Sequence, residues 1–270
     1  MTMTEPMTMG DWPATVLGDD LRGRRVLVTG SSRGIGAALG VALAGLGARV
    51  VLHGSGSSAA AHRLAAALAE QGADVRAVTG DFRRPDAVEA VVDAAVETLG
   101  GLDVLVNNAG TMVGRMPLAA LEDGFLDEVV DLNLRSVVVA CRRALPALKA
   151  AGGGVIVNTV SISARSGGSP GSSLYSASKA FVATFTRSLA TELAGDRIRV
   201  NAVSPGTIDT DFHQRYSTPE KLAATAARIP LGRIGTAEDC VGAYLFLMSE
   251  RLSGYVTGQV VEVNGGQLMP

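Results

Sequence analysis

The stretch from Arg25 to Leu46 restricts the fold more than any other in this chain. A short apolar run, Arg25–Thr29, meets the loop Gly30-Ser31-Ser32-Arg33-Gly34-Ile35-Gly36, and an Ala/Leu-rich helical pattern, Ala37–Leu46, follows at once. Strand, glycine loop and helix in that order form the opening of a parallel βαβ unit. Gly30 suits the tight turn that leaves the strand. Gly34 and Gly36 let backbone N–H groups and the helix N-terminus come close to an anion. The spacing is Gly-x-x-x-Gly-x-Gly, and no Gly-Lys-Ser/Thr follows, so the loop is not a nucleoside-triphosphate loop. It suits the pyrophosphate of a dinucleotide, with Gly30, Ser32, Arg33, Gly34, Ile35 and Gly36 as candidate contacts.

The same alternation continues to the end of the chain. Apolar runs at Arg49–His53, Val75–Thr79, Asp103–Val106, Val155–Val160, Ile198–Val203 and Val260–Val263 predict strands. Between them, Ala59–Gln71, Asp86–Leu99, Leu118–Ala150, Tyr175–Leu193 and Ala237–Met248 predict helices, with no linker or internal repeat. The expectation is one α/β domain of three layers over residues 23–270: a Rossmann-type, doubly wound parallel sheet of about seven strands with helices on both faces. Residues 1–22 read as a flexible extension, and about 207–230 as a lid over the ligand crevice. Hydrophobic residues make up 47% of the chain but aromatics only 4%, so the core must be built from Ala, Val, Leu and Ile.

The formal net charge of −2 offers no electrostatic footprint for nucleic acid or an anionic membrane. Cys141 and Cys240 are too few and too far apart for a disulfide framework or a zinc cluster and are expected to be buried apolar residues. No His/carboxylate cluster calls for a metal. No basic-then-apolar leader and no run of about 18 apolar residues occurs, so the cytoplasm is the expected location.

About twenty residues beyond the glycine loop, a site for NAD would place an acid on the ribose 2′-hydroxyl. Positions 54–57 are Gly, Ser, Gly and Ser instead. Arg33, with Ser55, is a candidate partner for a 2′-phosphate, which favours NADP(H) and leaves NAD(H) as the alternative.

Tyr175 and Lys179 lie four residues apart at the start of a predicted helix, hence on one face. A phenol with an ordinary pKa near 10 is a poor base, and an ammonium beside it is expected to lower that value toward a useful proton donor and acceptor. Asn133 stands in a helical Leu/Val stretch, where its amide competes with the backbone. It is either a satisfied buried amide or a residue with a task.

These motifs, in order, resemble the single-domain short-chain dehydrogenases/reductases, especially 3-oxoacyl-carrier reductases: TGSSRGIG (29–36), NNAG (107–110), Asn133, YSASK (175–179), SPGTIDT (204–210) and the closing VNGG. The resemblance covers nearly all of residues 23–266. It implies an NAD(P)-dependent oxidoreductase that interconverts a ketone and a secondary alcohol by hydride transfer. Tyr175 would be the acid/base, and Lys179 its helper and a ribose ligand. Asn133 would anchor a proton-relay water. A serine would bond the substrate oxygen: Ser161 by strand alignment, with Ser163 as its rival. Asp81 and Phe82 would lie at the adenine, and Asn108, Ala109 and Gly110 at its ribose. Ile208 would bond the carboxamide, and Pro205, Gly206 and Thr210 would also contact the cofactor. Arg115 and Arg165 are candidates for meeting an anionic substrate. A homotetramer or homodimer is expected. An NAD(H)-dependent alcohol or sugar dehydrogenase and a cofactor-sensing regulator without turnover are the alternative readings.

Overall fold

The structure, a computed structural model, describes residues 16–56 and 59–269. Among these, seven parallel strands form one sheet in the order β3-β2-β1-β4-β5-β6-β7. They are β1 Arg25–Val28, β2 Arg49–Gly54, β3 Val75–Thr79, β4 Val104–Asn107, β5 Gly154–Thr159, β6 Ile198–Pro205 and β7 Val260–Val263. The order reverses between β1 and β4, the switch point where an open parallel sheet leaves a crevice at its C-terminal edge.

Strands buried on both faces carry apolar residues at successive positions. Val26, Val28, Val50, Leu52, Val104, Val106, Val155 and Val157 point into one core, and Leu27, Val51, Leu105 and Ile156 into the other. The first core is closed by α2 (Gly34–Gly45), α3 (Ala60–Glu70) and α11 (Ala237–Met248). The second is closed by α4 (Pro85–Leu99), α6 (Ser136–Ala150) and α8 (Ser173–Leu193). The expected α/β/α sandwich is therefore present, and Cys141 and Cys240 are buried free thiols within it.

The differences from expectation are local. Residues 1–15 lie outside the described residues, but the proposed flexible segment 1–22 does not stay irregular to its end. Val16–Leu21 forms the helix α1, Leu21 is buried, and the Asp20 carboxylate accepts hydrogen bonds from the Ser249 hydroxyl and the Arg251 N–H. The predicted helix from Leu118 begins as a single 3₁₀ turn, Leu118–Ala120. Leu121 and Glu122 are extended, so regular helix starts only at α5 (Asp123–Val130). Between α5 and α6 the chain makes a π-helical turn, Asp131–Arg135, centred on Asn133. The presumed lid contains two helices, α9 (Asp211–Tyr216) and α10 (Pro219–Ala226). The remaining short helices are α7 (Ser163–Ser166) and α12 (Glu250–Ser253). No helix among the described residues is long and apolar enough to cross a membrane.

Candidate active site

The glycine loop leaves β1 through Gly30, whose φ of +63° belongs to the left-handed region and whose added Cβ would lie 2.7 Å from the Ala109 Cα. Its shape is held by the strand next door. The Asn108 amide donates to the carbonyls of Thr29 and Gly30 at 3.0 and 2.9 Å, and the Thr29 hydroxyl accepts the N–H groups of Asn108 and Ala109. α2 then opens with no side chain capping it, since Arg33 is extended and its side chain makes no capping bond. First-turn amides have no partner within a helix, so this end offers N–H groups to an anion.

His53, at the end of β2, braces the loop from the other side. The Gly30 N–H donates to its Nδ1 at 3.1 Å, so the ring proton is on Nε2, which lies 3.0 Å from the Gly80 carbonyl. Burial holds the imidazole neutral, its pKa pushed down to about 4, and it stacks on Phe82 at 4.0 Å. The available signal in the sequence was a histidine ending a buried parallel strand, on the side where ligands bind. His62, on α3, is exposed.

A cleft of about 1120 Å³ runs along the C-terminal ends of β1, β4, β5 and β6. Gly30, Ser32, Arg33, Gly34, Ile35, Ser55, Asp81, Phe82, Asn108, Ala109, Gly110, Tyr175, Lys179, Pro205, Gly206, Ile208 and Thr210 all line it, with Ser161 and Ser163. Gly36 does not. An added Cβ there would lie 2.6 Å from both the Asn108 Nδ2 and the Gly30 carbonyl oxygen, so its role is close packing of α2 under the loop. Asn133 stands behind the cleft wall. Fully buried, it accepts the Thr111 N–H at 3.0 Å and donates to the Val129 carbonyl at 3.1 Å. Within the π turn the amide thus donates to a helical carbonyl and presents its oxygen to the loop after β4.

Tyr175 and Lys179 sit in the first two turns of α8, which starts two residues earlier than expected, at Ser173. The ammonium lies 5.8 Å from the Tyr175 ring centroid, is buried, and donates to the Thr159 carbonyl at 2.8 Å. The expected lowering of the phenol pKa does not arise from the chain itself. Burial dominates and pushes Tyr175 up to about 12, although the Ser161 hydroxyl beside it pulls the other way and Tyr216 adds to the rise. Burial likewise pushes Lys179 down to about 8. Below pH 8 the pair is thus a neutral phenol beside an ammonium, a proton donor ready for a forming alkoxide. Ser161 is the serine that meets Tyr175, and the Ser163 hydroxyl donates to the Ser161 oxygen at 3.0 Å, one step behind.

The other wall is the region after β6. Phe212 of α9 packs on the Tyr175 ring at 5.6 Å and on Tyr216 at 5.1 Å, and the Tyr216 hydroxyl lies 3.1 Å from the Thr111 hydroxyl. Arg115 ties this wall to the loop before α8. It donates to the Tyr216 carbonyl from Nε and Nη2, and to the Ser169 hydroxyl and Pro170 carbonyl from Nη1. Arg165, the other candidate for an anionic substrate, does not line the cleft; its Nε lies 3.4 Å from Glu262.

A switch-point crevice with an uncapped helix N-terminus at one end and a phenol, an ammonium and a serine at the other defines a dinucleotide-dependent oxidoreductase. The residues present suit that group, since the loop offers amides to its pyrophosphate and the buried Lys179 keeps N–H donors beyond its one bond to Thr159. Residues 30–267 match the family model described as Enoyl-(Acyl carrier protein) reductase, and the chain belongs to the short-chain dehydrogenase/reductase family. It is 38% identical to 3beta-hydroxysteroid dehydrogenase 1 of Eggerthella lenta, over 93% of this chain and 96% of that one. It is 37% identical to a 3-oxoacyl-[acyl-carrier-protein] reductase of Synechocystis, over 90% and 96%. Among solved structures, an NADH-dependent reductase A1-R′ responsible for alginate metabolism superposes with a TM-score of 0.85 at 40% identity, covering 93% of this chain and 99% of its own. A short chain dehydrogenase from Burkholderia cenocepacia in complex with NADP superposes at 0.84 and 36%, covering 92% and 99%. The protein is a nicotinamide-dependent oxidoreductase that acts on CH–OH and C=O groups.

Proposed function

We propose that the protein is an NADP(H)-dependent ketone reductase whose proton donor is Tyr175. One observation carries the reading: Tyr175, Lys179 and Ser161 line the same cleft as the glycine loop, with the phenol protonated at neutral pH. A bound dihydronicotinamide supplies the hydride. The chain's residues do the rest. Ser161 and Tyr175 orient the carbonyl oxygen by hydrogen bonds, and Tyr175 passes it a proton as negative charge grows there. Lys179 holds positive charge beneath the phenolate that remains and opposes its build-up of energy. Asn133 fixes the loop after β4 against that assembly through the Thr111 N–H. The lid stretch 207–230, with Phe212 against Tyr175, shields the reacting atoms from water.

Arg33 and the acid-free end of β2 support NADP(H), with a 3-oxoacyl or similar ketone as substrate. A specific observation favours the second reading, an NAD(H)-dependent alcohol or sugar dehydrogenase: Arg33 is engaged by Asp211. Absorbance at the reduced nicotinamide band, with each cofactor and a panel of ketones and alcohols, separates the two; loss of turnover in Tyr175→Phe with cofactor binding retained supports the proton-donor role. A homodimer or homotetramer is proposed, supported by the partly exposed Phe181 stacked on Phe185 of α8, with light scattering as its test. The two free thiols suit a reducing compartment such as the cytoplasm.

A further inference from the structure

We propose that the carbonyl substrate carries an anionic group, a carboxylate or a phosphate, which is received by Arg215 and Lys221 on the lid side of the cleft. The inference deepens the reductase reading and rests on it.

The charges of the cleft are segregated. Three acids line it, Asp81, Glu128 and Asp211. Each is already paired: Asp81 and Glu128 with Arg83 at 2.7 and 3.2 Å, and Asp211 with Arg33 at 2.9 Å. On the lid side, Arg115, Arg215, Lys221 and Arg228 line the cleft, and the one acid of that wall, Asp211 at the start of α9, is engaged by Arg33. In a chain whose net charge is −2, a wall of four cations whose one acid is already spent on Arg33 is not an average of the surface.

The four are not equivalent. Arg115 has its guanidinium occupied by Tyr216, Ser169 and Pro170, so it braces the wall and is not free to hold a ligand. Arg228, two residues past the end of α10, donates to the Ala224 carbonyl of that helix at 3.3 Å. Arg215 and Lys221 have exposed side chains with no ionic partner among the described residues. Arg215 belongs to the same short helix as Phe212, which packs on Tyr175, so the cationic wall adjoins the proton donor. A substrate with its carbonyl at Tyr175 and Ser161 would present a negative group to this wall, where a partly enclosed site strengthens the attraction.

The test compares matched carbonyls. The turnover of 4-oxocyclohexanecarboxylate is measured against its methyl ester, and that of acetoacetyl-coenzyme A against the neutral acetoacetyl-N-acetylcysteamine, at low and high salt. The proposal expects kcat/KM about tenfold higher for at least one anion than for its neutral partner, with the ratio falling toward unity at high salt and in an Arg215→Ala/Lys221→Ala variant. An advantage confined to the acid identifies a carboxylate, and one confined to the coenzyme A thioester a phosphate. Neutral partners turned over as well as both anions, or a ratio indifferent to the double substitution, overturn the proposal. Calorimetric titration of the unaltered protein with the same acid and ester keeps the two readings apart. Selective binding of the acid without consumption of NADPH or NADH by any carbonyl would retain the anion site and reject the reductase; turnover without anion selectivity would do the reverse.

Discussion

The Arg33 guanidinium, in the glycine loop, donates to the Asp211 carboxylate at 2.9 Å and so ties the nucleotide end of the cleft to the first residue of α9. Both side chains are a little over half exposed, at 54% and 55%, so the pair contributes at most about 1 kcal/mol. A 2′-phosphate would compete for the same guanidinium with more charge than one carboxylate. The expected result is tighter binding of NADPH than NADH, a smaller gap in Arg33→Ala, and a gap widened a few-fold in Asp211→Asn, all read by fluorescence titration of the reduced cofactors. An unaltered protein that prefers NADH would remove Arg33 from the specificity argument.

Tyr175 and Ser161 separate the chemical step from binding. In Tyr175→Phe, cofactor affinity should stay within a factor of about two while most turnover disappears, because only the proton donor is removed. Ser161→Ala should lower kcat about 10²-fold, as loss of one donor to a developing oxyanion does elsewhere. Ser163→Ala should cost less than about tenfold, since its hydroxyl reaches the site only through Ser161. Equal losses in the two serine variants would mean that the wrong hydroxyl has been assigned to the substrate.

Lys179 makes stability depend on pH in a predictable direction. Burial pushes its ammonium down to about 8 in the fold against an ordinary value of 10.5, so between these values the folded chain binds fewer protons than the unfolded one. Stability therefore rises with pH across that window, by on the order of 3 kcal/mol, as the buried charge is relieved. Tyr175 acts in the opposite sense only above pH 10, where the unfolded phenol ionises first. Lys179→Met abolishes the lysine contribution and leaves the Thr159 carbonyl without its donor at every pH. Denaturation midpoints of the two proteins at pH 7 and pH 10 should converge or cross in favour of the unaltered chain at the higher pH; parallel shifts would refute the buried-ammonium account.

Asn133→Ala should remove the acceptor of the Thr111 N–H and the donor to the Val129 carbonyl together. A buried group left unpaired costs about 1–3 kcal/mol, which lowers the melting temperature of a chain this long by several °C. Turnover should fall as well, because Thr111 also meets Tyr216 on the lid side. A variant with unchanged melting would show that the π turn does not depend on this amide.

How far the chain could be read in advance differs by element. The central strands followed directly from the apolar runs, since a strand covered on both faces has to be apolar at nearly every position; the edge strands Val75–Thr79 and Val260–Val263 admit Arg76, Thr79 and Glu262 and still fall where the runs do. The helix start at Asp123 was missed because Leu118–Leu121 is apolar and helical in composition while Leu121 and Glu122 are held extended. The residues that line the glycine-loop end of the cleft could be named in advance because most of them follow closely on a strand's C-terminal end. His53 could not, since a lone histidine has no periodic signal and its partners, Gly30 and Gly80, are brought to it only by neighbouring strands.

Local sequence determined the sheet, its glycine loop and the placing of Tyr175 and Lys179 on one helical face, because periodicity and backbone freedom are properties of neighbouring residues. Tertiary structure alone decided which cations stand free and which are occupied. Arg33 meets Asp211 across 178 positions, Arg115 reaches Tyr216 and Ser169 from a third segment, and Arg165 turns away to Glu262. The ionisation of the active pair was decided there too, for burial is set by the packing of the whole chain, and it outweighs the influence that four-residue spacing alone implied.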